Sequence, residues 1–252
     1  MYAGRRHFAP ARRLGGLPAM SGDGRSRNTA AASIRVWDLP TRIFHWLLAI
    51  LVIFSIVSAR IGGGAMNWHM QSGYFIFTLL AFRLVWGFVG GRWSRFATFF
   101  YPPSVSLRYL RGASLPHEHH HVGHNPLGAW LVFALLGVLA VQVATGLVAD
   151  DEISSNGPLL KYVSSGTSST ATHWHKNFGQ WIIVALVVLH VGAIAFYWLK
   201  RRQNLVAAML HGDKLLTADV PATVDTAGAR AVALAIAALC AFGVAAIVGL
   251  GS

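Results

Sequence analysis

The chain has 252 residues, 54% of them hydrophobic and only 12% charged, against about 25% charged in ordinary soluble domains. That balance excludes a disordered chain and an ordinary soluble enzyme. A formal net charge of +12 would by itself point to nucleic acid. The charges, however, stand between long apolar runs, which points to a membrane protein with no nucleic-acid partner. The single cysteine, Cys240, excludes internal disulfides, CxxCH attachment of haem, and cysteine-ligated iron–sulfur clusters or zinc fingers.

Residues 1–33 are basic, glycine-rich and poor in large apolar side chains, and read as a disordered cytoplasmic arm beside anionic lipid. Arg5-Arg6 and Arg12-Arg13 look like twin-arginine signals, but no apolar region follows at signal-peptide spacing. Met20 is an alternative start. Five stretches are long and apolar enough to span a bilayer as helices: Ile43–Ile61, His69–Gly90, Leu127–Ala149, His175–Leu199 and Ala231–Leu250. Asn125 and Pro126 form a cap and first position for the third. Between the fourth and fifth, NLVAAML reads as a short surface helix, followed by a flexible Thr/Asp/Ala linker.

Segments 1–42, 91–126 and 200–230 carry 17 of the 21 Lys and Arg residues. By the positive-inside rule the N-terminus is cytoplasmic and the C-terminus periplasmic, in a multi-pass protein of a bacterial inner membrane.

Histidines stand at two depths. His175 and His190 are 15 residues apart on the fourth span, about 22 Å along the axis and about 60° around it. His69 matches His175 in depth, and His45 approaches the level of His190. Two His–His pairs, each bridging two antiparallel helices, have the layout that bis-histidine ligation of a flat macrocycle requires. Without CxxCH the haem is non-covalent and b-type. The axial ligands expected are His45 and His190 for an inner haem, and His69 and His175 for an outer one.

The second and fourth spans both open on WHxxxG, placing Gly73 and Gly179 one turn from a histidine, where a porphyrin plane can approach the backbone. This repeat favours His175 over His173. Arg83 is the one charge inside a span and away from its first or last residues. Its phase and depth direct it toward the inner haem, to pair with a propionate or a quinone oxygen; snorkelling to the cytoplasmic surface is the competing reading. The loop Pro116–His124 (PHEHHHVGH) carries five histidines without a cysteine and reads as adventitious metal affinity rather than structural zinc. Gln142 and Thr145 read as interhelical hydrogen bonders.

Several stretches together resemble a known family: RVWDLPTRIFHW (35–46), HMQSGY (69–74), FRLVWGFVGGRWSRF (82–96), GHNPLGAW (123–130), DDEISSNGPL (150–159), HKNFGQ (175–180), LVVLHV (186–191) and RRQNLVAAMLHGDK (201–214). They are similar to the bacterial membrane cytochrome b family that includes the b-type subunits of nickel–iron hydrogenases and small stand-alone di-haem quinone cytochromes. The resemblance covers about Ile34–Lys214. It implies a four-helix core with two b-haems on His45, His69, His175 and His190, passing electrons between quinone and a redox partner protein. The basic arm and the fifth span lie outside that core, and Lys176 follows a ligand position where many members carry an acidic residue.

The expectation is therefore an all-α integral membrane protein. A four-helix transmembrane bundle binding haem occupies 34–214, a linker 215–228, and a fifth transmembrane helix 229–252. Its function is trans-bilayer electron transfer in a respiratory chain, between the quinone pool and a c-type cytochrome, hydrogenase or dehydrogenase. Expected partners are membrane lipid, quinone and such a redox subunit, with homodimerisation left open. Two other classes compete. One is a superoxide:quinone oxidoreductase, for which Arg60 and Lys176 would steer the anion while Asp150–Glu152 oppose it. The other is a metal-ion transporter, disfavoured because no span contains Asp or Glu.

Overall fold

A computed structural model describes residues 32–113, 122–151, 155–216 and 220–251. Nearly all of the expected 1–33 arm, and the histidines between 117 and 121, lie outside the described residues. Among the described residues, five helical stretches are long and apolar enough to cross a membrane, with mean hydropathy between 1.6 and 2.7.

Each span begins where its local chemistry dictates. Helix α1 (Leu39–Ile61) starts four residues before the apolar run. Asp38 caps it, Oδ1 accepting from Thr41 N at 2.8 Å, and Pro40 sits in the first turn. Helix α2 (Ala65–Val89) returns antiparallel to α1. Two 3-10 turns, Arg92–Ser94 and Phe96–Thr98, then lead into the short helix α3 (Pro103–Leu110). Helix α4 (Pro126–Leu147) starts as its sequence indicates, Asn125 Oδ1 accepting from Gly128 N at 2.7 Å.

The fourth crossing is longer than expected. Helix α5 (Ser165–His173), a π-helical turn (Trp174–Gly179) and α6 (Gln180–Arg201) run continuously over 37 residues. The apolar run marks only the later part, because α5 is built from Ser and Thr and carries no hydropathy signal. Helix α7 (Leu205–His211) is the expected surface helix, and α8 (Ala227–Gly249) is the fifth span.

One short sheet was not read from the sequence. β1 (Ala32–Arg35) pairs antiparallel with β2 (Asp213–Leu216), in the register Ala32↔Leu216 to Arg35↔Asp213. Gly212, at φ +90°, makes the left-handed turn from α7 into β2. The sheet takes up the last residues of the expected arm and the first of the expected linker. The described remainder of that linker is not free. Asp225, its side chain 5% exposed, is ion-paired with Arg35 and Arg230, each at under 3 Å, and Thr223 N donates to Arg35 O.

The sheet marks one end of the bundle, the strand end. There Val36, Trp37, Val122 and Ala208 form a small core. Midway along the bundle, Val52, Ile76, Leu139 and Ile183 pack as one apolar layer contributed by α1, α2, α4 and α6. Lipid is as apolar as these side chains, so close packing rather than water exclusion holds the layer. Helix α8 lies against α2, with Ala233 in a cluster with Phe44, Phe82 and Trp86.

Candidate cofactor site

At the strand end His45 on α1 meets His190 on α6, with ring centroids 6.3 Å apart and planes at 54°. At the opposite end His69 on α2 meets His175 in the π-helical turn, at 5.9 Å and 82°. The structure thus places the four histidines in the two pairs expected from their spacing, with the Val52–Ile76–Leu139–Ile183 layer between the two levels. His173 stands apart from them: it is exposed, its Nδ1 lies 3.1 Å from Asn177 Nδ2, and its ring packs on Phe178.

The far-end pair is held by backbone carbonyls. His69 Nδ1 donates to Ser55 O at 2.9 Å, and His175 Nδ1 donates to Gln142 O at 2.8 Å. A carbonyl oxygen only accepts, so each ring carries its proton on Nδ1 and presents the lone pair of Nε2. Gln142 Nε2 also donates to His175 O at 2.9 Å, the interhelical bond expected of that residue. Thr145 spends its hydroxyl mainly on its own helix, donating to Val141 O. At the strand end, buried His45 Nδ1 has no hydrogen-bond partner among the described residues.

Glycines shape the space around the rings. A Cβ on Gly146 would stand 2.8 Å from His175 Cε1, so only glycine lets α4 approach this imidazole. A Cβ on Gly73 would meet nothing within 4 Å, leaving that face of α2 open. Gly179 differs from Gly73: Gln142 Oε1 and Trp174 Nε1 close over it, so its missing side chain serves the contact with α4.

Arg83 is 4% exposed and does not snorkel to the surface. Its Nη2 donates to Ser94 O at 2.9 Å, and its Cζ lies 4.5 Å from the Phe96 ring centroid. Buried Nη1 has no partner among the described residues. Ser94 Oγ donates to Asp38 Oδ2 at 2.8 Å, while Asp38 Oδ1 also takes Trp86 Nε1 at 3.2 Å. His124, at the end of the histidine-rich loop, is half-buried, its Nδ1 enclosed and its ring packed on Trp37 and Phe99 at centroid distances of 4.9 and 4.6 Å. Burial, with Arg83, His190, Lys214 and His45 nearby, pushes its imidazole down to about 3.

The family model described as prokaryotic cytochrome b561 matches residues 36–212. The chain belongs to the prokaryotic cytochrome b561 family. This cytochrome is similar to a probable Ni/Fe-hydrogenase B-type cytochrome subunit of Azotobacter chroococcum mcd 1, at 27% identity over 236 residues, covering 80% of this chain and 96% of the relative. It is similar to one of Rhizobium leguminosarum bv. viciae at 25% over 221 residues, covering 73% and 89%. The probable Ni/Fe-hydrogenase 1 B-type cytochrome subunit of Escherichia coli (strain K12) shares 24% over 213 residues, covering 70% and 88%. No solved structure matches significantly.

The protein is thus a multi-pass membrane cytochrome of the b type, with haem b as its cofactor and electron transport as its task. The histidine pairs fit that group. Two imidazoles on opposite sides of one metal, with bonds of about 2 Å, hold their centroids about 6 Å apart, and both pairs have that separation. Helix α6 makes only sparse contact with α1 and α2, so helix packing does not close the flanks of the pairs.

Sequence reasoning passed over Ser55, Gly146, Asp38 and Ser94, and read His124 only as part of a metal-attracting loop. Of these only Asp38, two residues before a proline and ahead of an apolar run, carries a local signal, that of an N-cap. The others matter through a backbone carbonyl, a close approach or burial, none of which has a sequence signature.

Proposed function

We propose that the cytochrome binds two b-haems, one between His45 and His190 and one between His69 and His175, and carries electrons across the membrane between quinone and a redox partner protein. The supporting observation is the two histidine pairs on opposite sides of one apolar layer. Bound there, haem b supplies one-electron iron chemistry, its potential tuned by axial ligands, burial and hydrogen bonding. The chain's part is to orient and to insulate. Ser55 O and Gln142 O fix the far-end rings through Nδ1. The apolar layer keeps water and ions from crossing between the two levels.

The strand end carries Arg35, Arg42, Arg92, Arg95, Arg201, Arg202, Lys214 and Arg230, which supports its placement in the cytoplasm and the far end in the periplasm of a bacterial inner membrane. Residues 34–214 act as the electron-carrying unit and α8 as an added span. The printed names of the relatives support a hydrogenase as the partner.

A reduced-minus-oxidised spectrum with a haem-to-protein ratio tests this reading. Two b-type haems per chain, oxidised by added quinone after reduction, are expected. A ratio near one, or no reaction with quinone, overturns it.

A further inference from the structure

The two histidine pairs differ in what meets their Nδ1 atoms. At the far end each Nδ1 faces two oxygens, one backbone and one hydroxyl. His69 Nδ1 lies 2.9 Å from Ser55 O and 3.0 Å from Ser55 Oγ. His175 Nδ1 lies 2.8 Å from Gln142 O and 3.3 Å from Thr145 Oγ1. Because a carbonyl only accepts, both Nδ1 atoms carry a proton, and the hydroxyl oxygens beside them accept a share of it in three-centre bonds. The Thr145 hydroxyl sends its own proton toward Val141 O at 2.8 Å and Gln142 O at 3.0 Å, which leaves an oxygen lone pair for His175.

The hydroxyl oxygens matter because the carbonyls are shared. Ser58 Oγ donates to Ser55 O at 3.1 Å, as Thr145 Oγ1 does to Gln142 O, so neither carbonyl serves an imidazole alone. Ser55 and Thr145 therefore hold matching places on α1 and α4, one beside each far-end ring. The strand end has no such arrangement at His45. Its Nδ1 is buried without a hydrogen-bond partner among the described residues. The neighbouring Trp46 ring stands at 90° to the imidazole, centroids 5.1 Å apart, with its own N–H directed to Met209 O at 3.4 Å.

An imidazole that donates through Nδ1 is a more basic ligand at Nε2. A more basic ligand stabilises ferric iron over ferrous iron and so lowers the midpoint potential, one of the protein's levers on a haem. We propose that Ser55 and Thr145 are positioning residues that tune the far-end haem through His69 and His175, and that this doubled set of acceptors makes it the lower in potential of the two haems. This rests on the two-haem reading above. An electron on the far-end haem then moves downhill to the strand-end haem. Arg83 works in the same sense by raising the strand-end component, so the far-end component is the one to follow.

The test is a redox titration of the purified holoprotein, with the near-infrared charge-transfer band of the ferric haems as a second readout of axial imidazole charge. The far-end component is identified as the one missing in His69→Ala, and the strand-end component as the one missing in His45→Ala. The far-end component is expected to titrate lower in the wild type. In Ser55→Ala and in Thr145→Val it should rise and its near-infrared band shift, with both haems bound and the strand-end component unmoved. The double variant should raise it further, and Thr145→Ser, which keeps the hydroxyl, should restore it. A far-end component that titrates above the strand-end one overturns the ordering. A far-end potential and near-infrared band unchanged in both Ser55→Ala and Thr145→Val overturn the tuning role. A wild-type ratio of one haem per chain defeats the two-haem reading instead, and the ratio is measured on the same samples.

Discussion

Gln142 and His175 are bonded to each other twice. The Gln142 backbone carbonyl accepts from His175 Nδ1 at 2.8 Å, and the Gln142 side-chain amide donates to the His175 carbonyl at 2.9 Å. The bond that sets the imidazole proton is therefore made by backbone, and the bond made by the side chain only fastens the two helices.

Substitution at Gln142 should separate these roles. Gln142→Leu is expected to lower stability by about 1 kcal/mol while leaving the far-end haem bound and its midpoint potential near the wild-type value. Thermal unfolding and potentiometry on the same preparation check this. A large fall in that potential would show that the side chain, not the backbone, tunes the ring.

Gly146 should be intolerant where Gln142 is not. Gly146→Val places carbon atoms where His175 Cε1 lies 2.8 Å from a single Cβ, and the backbone there cannot yield cheaply. Loss of the far-end haem is expected, with the strand-end haem kept, as read from pyridine haemochrome stoichiometry.

The pairing itself is open to a direct check. His69→Ala and His175→Ala should remove one and the same redox component, and His45→Ala and His190→Ala the other. His173→Ala should keep both, because that ring faces Asn177 and Phe178. A component lost in both His69→Ala and His190→Ala would break the assignment.

Arg83→Gln should lower the potential of the strand-end haem, since a cation favours the reduced, more negative state. At about 8 Å in partly hydrated protein the charge term is roughly 2 kcal/mol before screening, so a fall on the order of 50–100 mV is expected. Arg83→Lys should recover part of it. Redox titration resolves the two components, and an unmoved strand-end component would assign Arg83 to the Asp38–Ser94 network alone.

Much of this was legible in the sequence for a simple reason. Span positions follow from hydropathy, and histidine depth follows from the helical rise, so the pairs His45–His190 and His69–His175 needed only residue counting. The parts that escaped depend on other physics. The π-helical turn at Trp174–Gly179 and the polar helix α5 give no periodic apolar signal. β1 and β2 are four residues each, far apart in the chain, and paired through backbone atoms. His124 looked like one more loop histidine because neither burial nor its Trp37 and Phe99 neighbours can be read from HEHHHVGH.

The Asp225 cluster predicts a pH dependence. Burial alone would raise the Asp225 carboxyl, but hydrogen bonds from Arg230, the Leu39 backbone and Arg35 hold it below its ordinary value. A folded-state value below the unfolded one means that the stabilisation is complete above about pH 4 and is lost as pH falls through the folded value. Asp225→Asn should lower Tm by roughly 2–4 °C at neutral pH and remove part of the acid-dependent loss. Thermal scans of both proteins from pH 7 to 3 read this out.

The pairing of Ala32 with Leu216 has a consequence for biogenesis. The strand that precedes the first span finds its partner only after the fourth span and α7 have left the ribosome. Arg35 must wait further, for Asp225. During synthesis the first four spans therefore enter the bilayer with their leading strand unpaired, and the emergence of residues 213–225 completes the clasp before α8 packs on α2. A nascent chain stalled before Asp213 would hold all four histidines and still lack the clasp that joins its beginning to its end.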